Sequence, residues 1–166
     1  MPDKTSIRDK RNPSTPLRDY AESHTDTLTS LSFHPTMPST LLSASTDGLI
    51  SIFDTRLSDE DDALTQVLNH QAAVHCAGFI GPDHDVYALS SDEQMAVYAL
   101  DFAAVADVDV DTGDDGIALA LETEPSACVL GDVRPLLQCA YVVDVVRAAS
   151  STAQTVPAWV AAGDTS

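Results

Sequence analysis

Positive charge is scarce in this sequence. Its 166 residues carry eight lysines and arginines against 26 aspartates and glutamates, a formal charge of −18. A surface this acidic repels phosphate, which speaks against a nucleic-acid partner. Long apolar runs are also missing. No stretch approaches the roughly 18 consecutive apolar residues of a membrane span, and Met1-Pro2-Asp3-Lys4 begins no secretion signal. The expected setting is therefore soluble, cytoplasmic and/or nuclear, with no membrane partner. Cysteine is limited to Cys76, Cys128 and Cys139, widely spaced and never in a Cys-x-x-Cys pair, so neither a disulfide framework nor a zinc site is expected. Glycine-rich phosphate loops are absent, and no cofactor is implied.

What is present is enough apolar material for a core: 44% of residues are hydrophobic and 20% charged, which excludes a chain disordered throughout. The length suits one ordinary domain. Charge is unevenly placed. Residues 1–20 hold five of the eight basic groups and three acids, and the remainder holds 3 basic groups and 23 acids. A small basic head precedes an acidic body. Aspartate outnumbers glutamate 21 to 5, a bias that fits a solvated, salt-adapted surface.

The sequence repeats itself. A shift of 46 places His24 on His70, Leu28 on Val74, Leu31 on Ala77 and Phe33 on Phe79. A shift of 45 places Ser45 on Ser90, Asp47 on Asp92, Ile50 on Met95, Ile52 on Val97 and Phe53 on Tyr98. A period of about 40 to 45 residues is that of stacked β blades. Each unit contains short apolar and β-branched runs broken by turn residues, and helical periodicity is absent. Strands are expected at 28–33, 41–45, 49–54 and 63–68, the first stopped by His34-Pro35 and the second by the turn Thr46-Asp47-Gly48. The second unit repeats the order at 74–79, 86–90 and 95–100, with a fourth strand at 117–121 beyond a long acidic loop. Residues 139–146 and 158–162 read as the first two strands of a further unit, and 16–20 as the outer strand of a preceding one.

Ser23-His24, Phe33-His34-Pro35, Ser43-Ala44-Ser45-Thr46-Asp47-Gly48 and Phe53-Asp54 together resemble a WD-repeat unit of a β-propeller. The match is weaker over 70–101, where Glu93 replaces the turn glycine and Tyr98-Ala99 the closing aromatic-acid pair. The chain as a whole is similar to the WD repeat-containing protein 89 group, through 24–54, Gly131-Asp132-Val133-Arg134-Pro135 and 159–163. The resemblance implies a buried hydrogen-bond chain in each blade. Its candidates here are His24, Ser45 and Asp47 in the first unit and His70, Ser90 and Asp92 in the second. Phe53, lacking an indole N–H, takes the tryptophan place, and Tyr98 offers a hydroxyl instead. A set that recurs in every blade is scaffolding and not a Ser-His-Asp triad, which needs a nucleophile at a pocket with an oxyanion hole.

Other motifs weigh less. Asp107, Asp109 and Asp111 alternate as in a calcium loop, but glycine falls one place late and Ala118 stands where a bidentate glutamate is expected, so the run reads as a solvated acidic insertion. With residues 59–62 it can attract basic protein segments. Phe53-Asp54-Thr55-Arg56 resembles the Trp-Asp-x-Arg ending by which some WD-repeat proteins dock on the adaptor of cullin ubiquitin ligases, with Arg56 as the contact. His34, His75 and His84 share no metal-ligand spacing. Trp159 reads as a core residue.

The expectation is an all-β chain of WD-type blades, four-stranded antiparallel sheets in an incomplete ring. Its segments are a basic head with a preceding outer strand (1–22), a first blade (23–68), a degenerate second blade with its acidic loop at 102–116 (69–121), and the start of a further blade (122–166). At this period a seven-bladed ring needs roughly 300 residues. The chain therefore reads as part of a larger propeller or as one that closes by assembling with a partner. The expected function is a non-catalytic scaffold for protein partners. The alternatives are a ubiquitin-ligase substrate receptor and a calcium-dependent enzyme.

Overall fold

The computed structural model describes residues 4–80, 85–100, 126–147 and 158–164, and the apolar runs among them form strands. A hairpin, β1 (Thr5–Asp9) and β2 (Asn12–Tyr20), comes first. A four-stranded antiparallel meander follows: β3 (Leu28–Phe33), β4 (Thr40–Ser45), β5 (Leu49–Asp54) and β6 (Leu64–Asn69). The second meander is β7 (Val74–Ile80), β8 (Asp85–Ser90), β9 (Gln94–Tyr98) and β10 (Ala127–Asp132), and β11 (Tyr141–Arg147) pairs with β12 (Ala158–Gly163). This is an all-β fold of four-stranded antiparallel blades, and among the described residues the sheets form no closed ring.

The strands differ in how they bury. β3 alternates exposed and half-buried residues, as an edge strand with one covered face does, whereas β4 and β5 are buried nearly end to end. The reason is stacking on both faces. Leu42, Ala44, Ile50, Ile52 and Leu68 pack against Val74, Phe79, Val86, Ala96 and Tyr98 of the second sheet. On the opposite face Leu41 and Phe53 pack with Tyr20 and Ala63, and the Tyr20 and Phe53 rings stack with centroids 4.7 Å apart. Beyond the second sheet, Tyr87, Leu89 and Met95 meet Val133, Val142 and Val145. Each fully buried leucine or isoleucine contributes roughly 1.5–3 kcal/mol, so these layers hold the stack.

The β4–β5 turn depends on Gly48, whose φ of +88° is left-handed; a Cβ there would sit 3.3 Å from the Ala72 carbonyl oxygen. Three departures from the sequence reading have physical causes. The fourth strand of the second sheet is Ala127–Asp132, paired with β9, and the expected 117–121 lies outside the described residues. The sheet therefore runs past residue 121. The upstream strand begins at Asn12 and pairs with β1, an edge hairpin in which Pro13 and Pro16 leave no central ladder unfilled. Finally, the acidic break forms the one-turn helix α1 (Glu60–Ala63), because Asp59 accepts the Asp61 N–H and three acids fill the first turn, where the helix dipole favours them.

Candidate functional site

His24 enters between the first hairpin and the first meander and is buried. Its Nε2 lies 2.7 Å from Ser43 Oγ and its Nδ1 3.2 Å from Asp47 Oδ2. Asp47 also accepts the N–H of Thr25 at 2.9 Å and of Leu49 at 2.9 Å, tying the loop before β3 to the β4–β5 turn. Burial pushes the Asp47 carboxyl up, but those two N–H groups and His24 outweigh it and hold it below the usual carboxylate range. The structure thus joins His24 to Asp47 and brings in Ser43. Ser45 is not among the hydrogen-bond partners of His24. Its Oγ accepts the Asp47 N–H at 3.2 Å and steadies the turn.

The loop carrying His24 has an anchor that sequence reasoning missed. Glu60 accepts the N–H groups of Ala21 (2.6 Å), Glu22 (3.0 Å) and Ser23 (2.8 Å) and the Ser23 hydroxyl (2.5 Å). Burial raises its pKa, and these donors more than reverse that and leave it lowered. In sequence Glu60 looks like one more acid in a solvated run. The available signal was Asp59 as a helix cap, which turns the next side chain back toward the loop.

The second unit differs. His70 Nδ1 lies 3.0 Å from the Tyr98 hydroxyl, and its Nε2 is 3.2 Å from the Gln94 carbonyl oxygen. Ser90 Oγ accepts the N–H groups of Asp92 (3.2 Å) and Gln94 (3.0 Å). Asp92 is exposed and takes no part in the bonds His70 makes. Glu93 occupies the left-handed turn position at φ +64°, and its carboxylate accepts the Val142 N–H at 3.0 Å.

Arg56 is 69% exposed, and Asp54 grips it: Nε lies 2.9 Å from both carboxylate oxygens and Nη2 2.5 Å from Oδ2. That grip holds the Asp54 carboxyl below its ordinary range. Asp132 holds Arg134 in the same way, as does Asp9 for Arg11. Among the described residues no cluster of three His, Cys, Asp or Glu side chains is arranged for a metal. His34 Nδ1 accepts the N–H groups of Thr36 and Met37 and so braces the β3–β4 loop. His75 is exposed, whereas the adjacent Cys76 turns its thiol toward the Val143 carbonyl. Burial pushes that thiol up to about 12, with Asp144 adding to the effect, so it stays protonated and unreactive near neutrality. His84 and the candidate calcium residues Asp107, Asp109 and Asp111 lie outside the described residues, as does the side chain of Trp159.

No family model matches the chain. Among curated proteins it is similar to an uncharacterized WD repeat-containing protein of Saccharomyces cerevisiae, 36% identical over 149 residues, which is 90% of this chain and 34% of that protein. A second, from Schizosaccharomyces pombe, is 33% identical over 135 residues, 78% of this chain and 37% of that one. The WD repeat-containing protein 89 homolog of Dictyostelium discoideum is 36% identical over 85 residues, 51% of this chain and 24% of that protein. The chain spans about a third of the length of the two fungal proteins.

Proposed function

Because this chain belongs to the WD-repeat proteins, we propose that it is a non-catalytic scaffold whose loops and sheet edges hold other proteins. One observation carries this reading: the Ser43-His24-Asp47 set is sealed inside the sheet stack. Ser43 is 0% exposed and His24 6%, and both ring nitrogens are engaged. A nucleophile there meets no substrate, so the bonds serve rigidity. The excess of carboxylates favours partners with basic segments, whose association then slows as salt screens the attraction.

The test is affinity capture from cell extract followed by reconstitution of each captured protein with the purified chain. Direct binding that weakens with salt is the expected result. Failure of every captured protein to bind the pure chain overturns the reading, as does hydrolase turnover that vanishes in Ser43→Ala.

A second reading, a substrate receptor of a cullin-type ubiquitin ligase, draws support from Arg56, which Asp54 holds in one orientation while leaving it open to solvent. Adaptor co-purification that drops at least tenfold in Arg56→Ala supports it, and unchanged co-purification removes it.

A further inference from the structure

We propose that Thr15 is a phosphorylation site, modified by a proline-directed protein kinase, and that Arg8 receives the phosphate. This goes beyond the scaffold role and does not depend on it. Nine prolines are spread along the chain, and Thr15-Pro16 is the one place where a serine or threonine directly precedes a proline. Arg18 stands third after Thr15. A hydroxyl, a proline and a cation at that spacing suit a kinase cleft with an apolar pocket for the ring and a carboxylate for the arginine. Proline also keeps the residue before it extended, the backbone form in which a peptide lies along such a cleft. Arg18 is half exposed and donates to carbonyl oxygens alone, those of Leu17, Arg56 and Leu57, so among the described residues no carboxylate neutralises it.

The hairpin presents this segment. β1 and β2 pair Asp9 with Asn12 and then Arg8 with Pro16, so Pro13, Ser14 and Thr15 have no partner on β1 and form a bulge. All three are exposed. β2 has no second neighbour among the described residues, which leaves its other edge open to an incoming chain. In the reaction, Thr15 Oγ1 attacks the γ-phosphorus of ATP and an oxygen–phosphorus bond forms. The bond from that phosphorus to the β,γ-bridging oxygen breaks, ADP leaves, and the hydroxyl proton passes to the kinase's catalytic base.

Charge decides where a phosphate is tolerated. Residues 21–166 hold 23 acids and 3 bases and repel one, whereas residues 1–20 hold five bases and three acids. Arg8 spans the bulge: its backbone stands opposite Pro16, and its Nη1 donates to the Pro13 carbonyl at 2.7 Å. Lys4 and Arg11 are held by Asp19 and Asp9, but among the described residues no carboxylate is in ion-pair contact with Arg8. The first meander supplies a comparison. Ser6, Ile7, Asp9 and Arg11 recur as Ser51, Ile52, Asp54 and Arg56 at a spacing of 45. Four acids follow Arg56 at 59–62, of which Glu60 gathers the N–H groups of Ala21, Glu22 and Ser23, whereas no acid lies between Arg11 and Arg18. Phosphorylation supplies the missing negative charge there, and Arg8 offers it charge-assisted hydrogen bonds.

Incubating the folded 166-residue chain with ATP and a proline-directed serine/threonine kinase tests this, with the phosphate located by peptide mass spectrometry. The expected product carries one phosphate per chain, on Thr15. Thr15→Ala abolishes it, and Pro16→Ala and Arg18→Ala each lower kcat/KM for the chain by at least about tenfold. Phosphorus NMR of the product reads the part played by Arg8. Beside a guanidinium the phosphate loses its last proton at a lower pH than the roughly pH 6 of a free phosphothreonine, and Arg8→Ala restores the ordinary value. Circular dichroism melts confirm that the variants fold, and the mapping on the unaltered chain stands without them. A folded chain that takes no phosphate overturns the proposal. So does phosphate on Ser14 or elsewhere instead of Thr15, a rate that Pro16→Ala leaves unchanged, or a titration that is the same with and without Arg8.

Discussion

Ser43, Asp47, Gly48 and Ser51 in the first meander stand where the second has Ala88, Asp92, Glu93 and Ala96. The two backbones pair alike, Ser43 opposite Ser51 and Ala88 opposite Ala96, yet the interiors are tied differently. In the first, a hydroxyl on the second strand receives His24, and the turn carboxylate reaches back to the loop. In the second, alanine offers His70 nothing, so the ring turns to Tyr98 and the Gln94 carbonyl, and the turn residue Glu93 spends its carboxylate on the neighbouring β11. A blade therefore needs apolar stacking on both faces more than it needs one particular polar chain. The polar chain fixes where the loop sits.

The sharpest way to break this comparison is to remove both histidines in turn. His24→Ala strands the buried Ser43 hydroxyl and deprives Asp47 of one partner, a loss of about 3 kcal/mol at roughly 1–3 per stranded group. His70→Ala leaves the Tyr98 hydroxyl and one carbonyl nearer solvent and costs about 1 kcal/mol. Urea unfolding followed by circular dichroism reads both. Equal losses mean that the two sheets are held by equivalent networks after all.

The turns give the next largest contrast. Gly48→Ala puts a side chain at a left-handed position, at about 1–2 kcal/mol, and within 3.3 Å of the Ala72 oxygen. Glu93→Gly relieves the same strain but gives up the bond to the Val142 N–H, so its net change is close to zero, within about 0.5 kcal/mol. A large loss in Glu93→Gly shows instead that this bond holds β11 in place.

Acid separates the sheets by direction. Burial lowers the His70 pKa below 6.5, and the Gln94 carbonyl only partly opposes it. The fold thus favours the neutral ring, and that stability is complete above 6.5 and lost as pH falls through the lowered folded value. Asp47 and Glu60 are held below 3.8 and 4.5, so their contributions persist until pH falls below those values. Hydrogen exchange corrected for intrinsic rates is expected to show β8 and β9 loosening between about pH 7 and 5 while β4 and β5 hold. His70→Asn removes the difference. Simultaneous loosening of both sheets only near pH 4 sinks it.

Much of this was legible because the repeat carries it. His24 and Asp47 recur at the blade period, and the strands around Gly48 end at turn residues whose chemistry is local. Ser43 was missed for Ser45 because both lie on one face of β4, two residues apart, and only the reach of the His24 ring separates them. Asp92 was placed in the second network by its register, but the residue before a left-handed Glu93 points to solvent. Strand β10 was misplaced because the acidic insertion at 102–116 hides how much chain separates the third and fourth strands. β1 was not seen at all, since Arg8 stands where its counterpart strand has the apolar Phe53, and a basic run does not read as a strand.

Ser51 offers the smallest test and one of opposite sign. Its hydroxyl is 0% exposed in the middle of β5 and has no hydrogen-bond partner among the described residues, and its counterpart Ala96 fills the same place with no polar atom. An unpaired buried hydroxyl costs about 1–3 kcal/mol, while Ser→Ala gives up only one oxygen's contacts, so Ser51→Ala is expected to stabilise the chain by about 1 kcal/mol. The reverse substitution, Ala96→Ser, should destabilise it by a similar amount, because neighbouring Ala88 offers no oxygen to receive the new hydroxyl. Paired urea titrations that find Ser51→Ala destabilising show that the hydroxyl is satisfied in solution, by water or by Ser43. The first meander then has a polar interior running across two strands instead of a single histidine-centred chain.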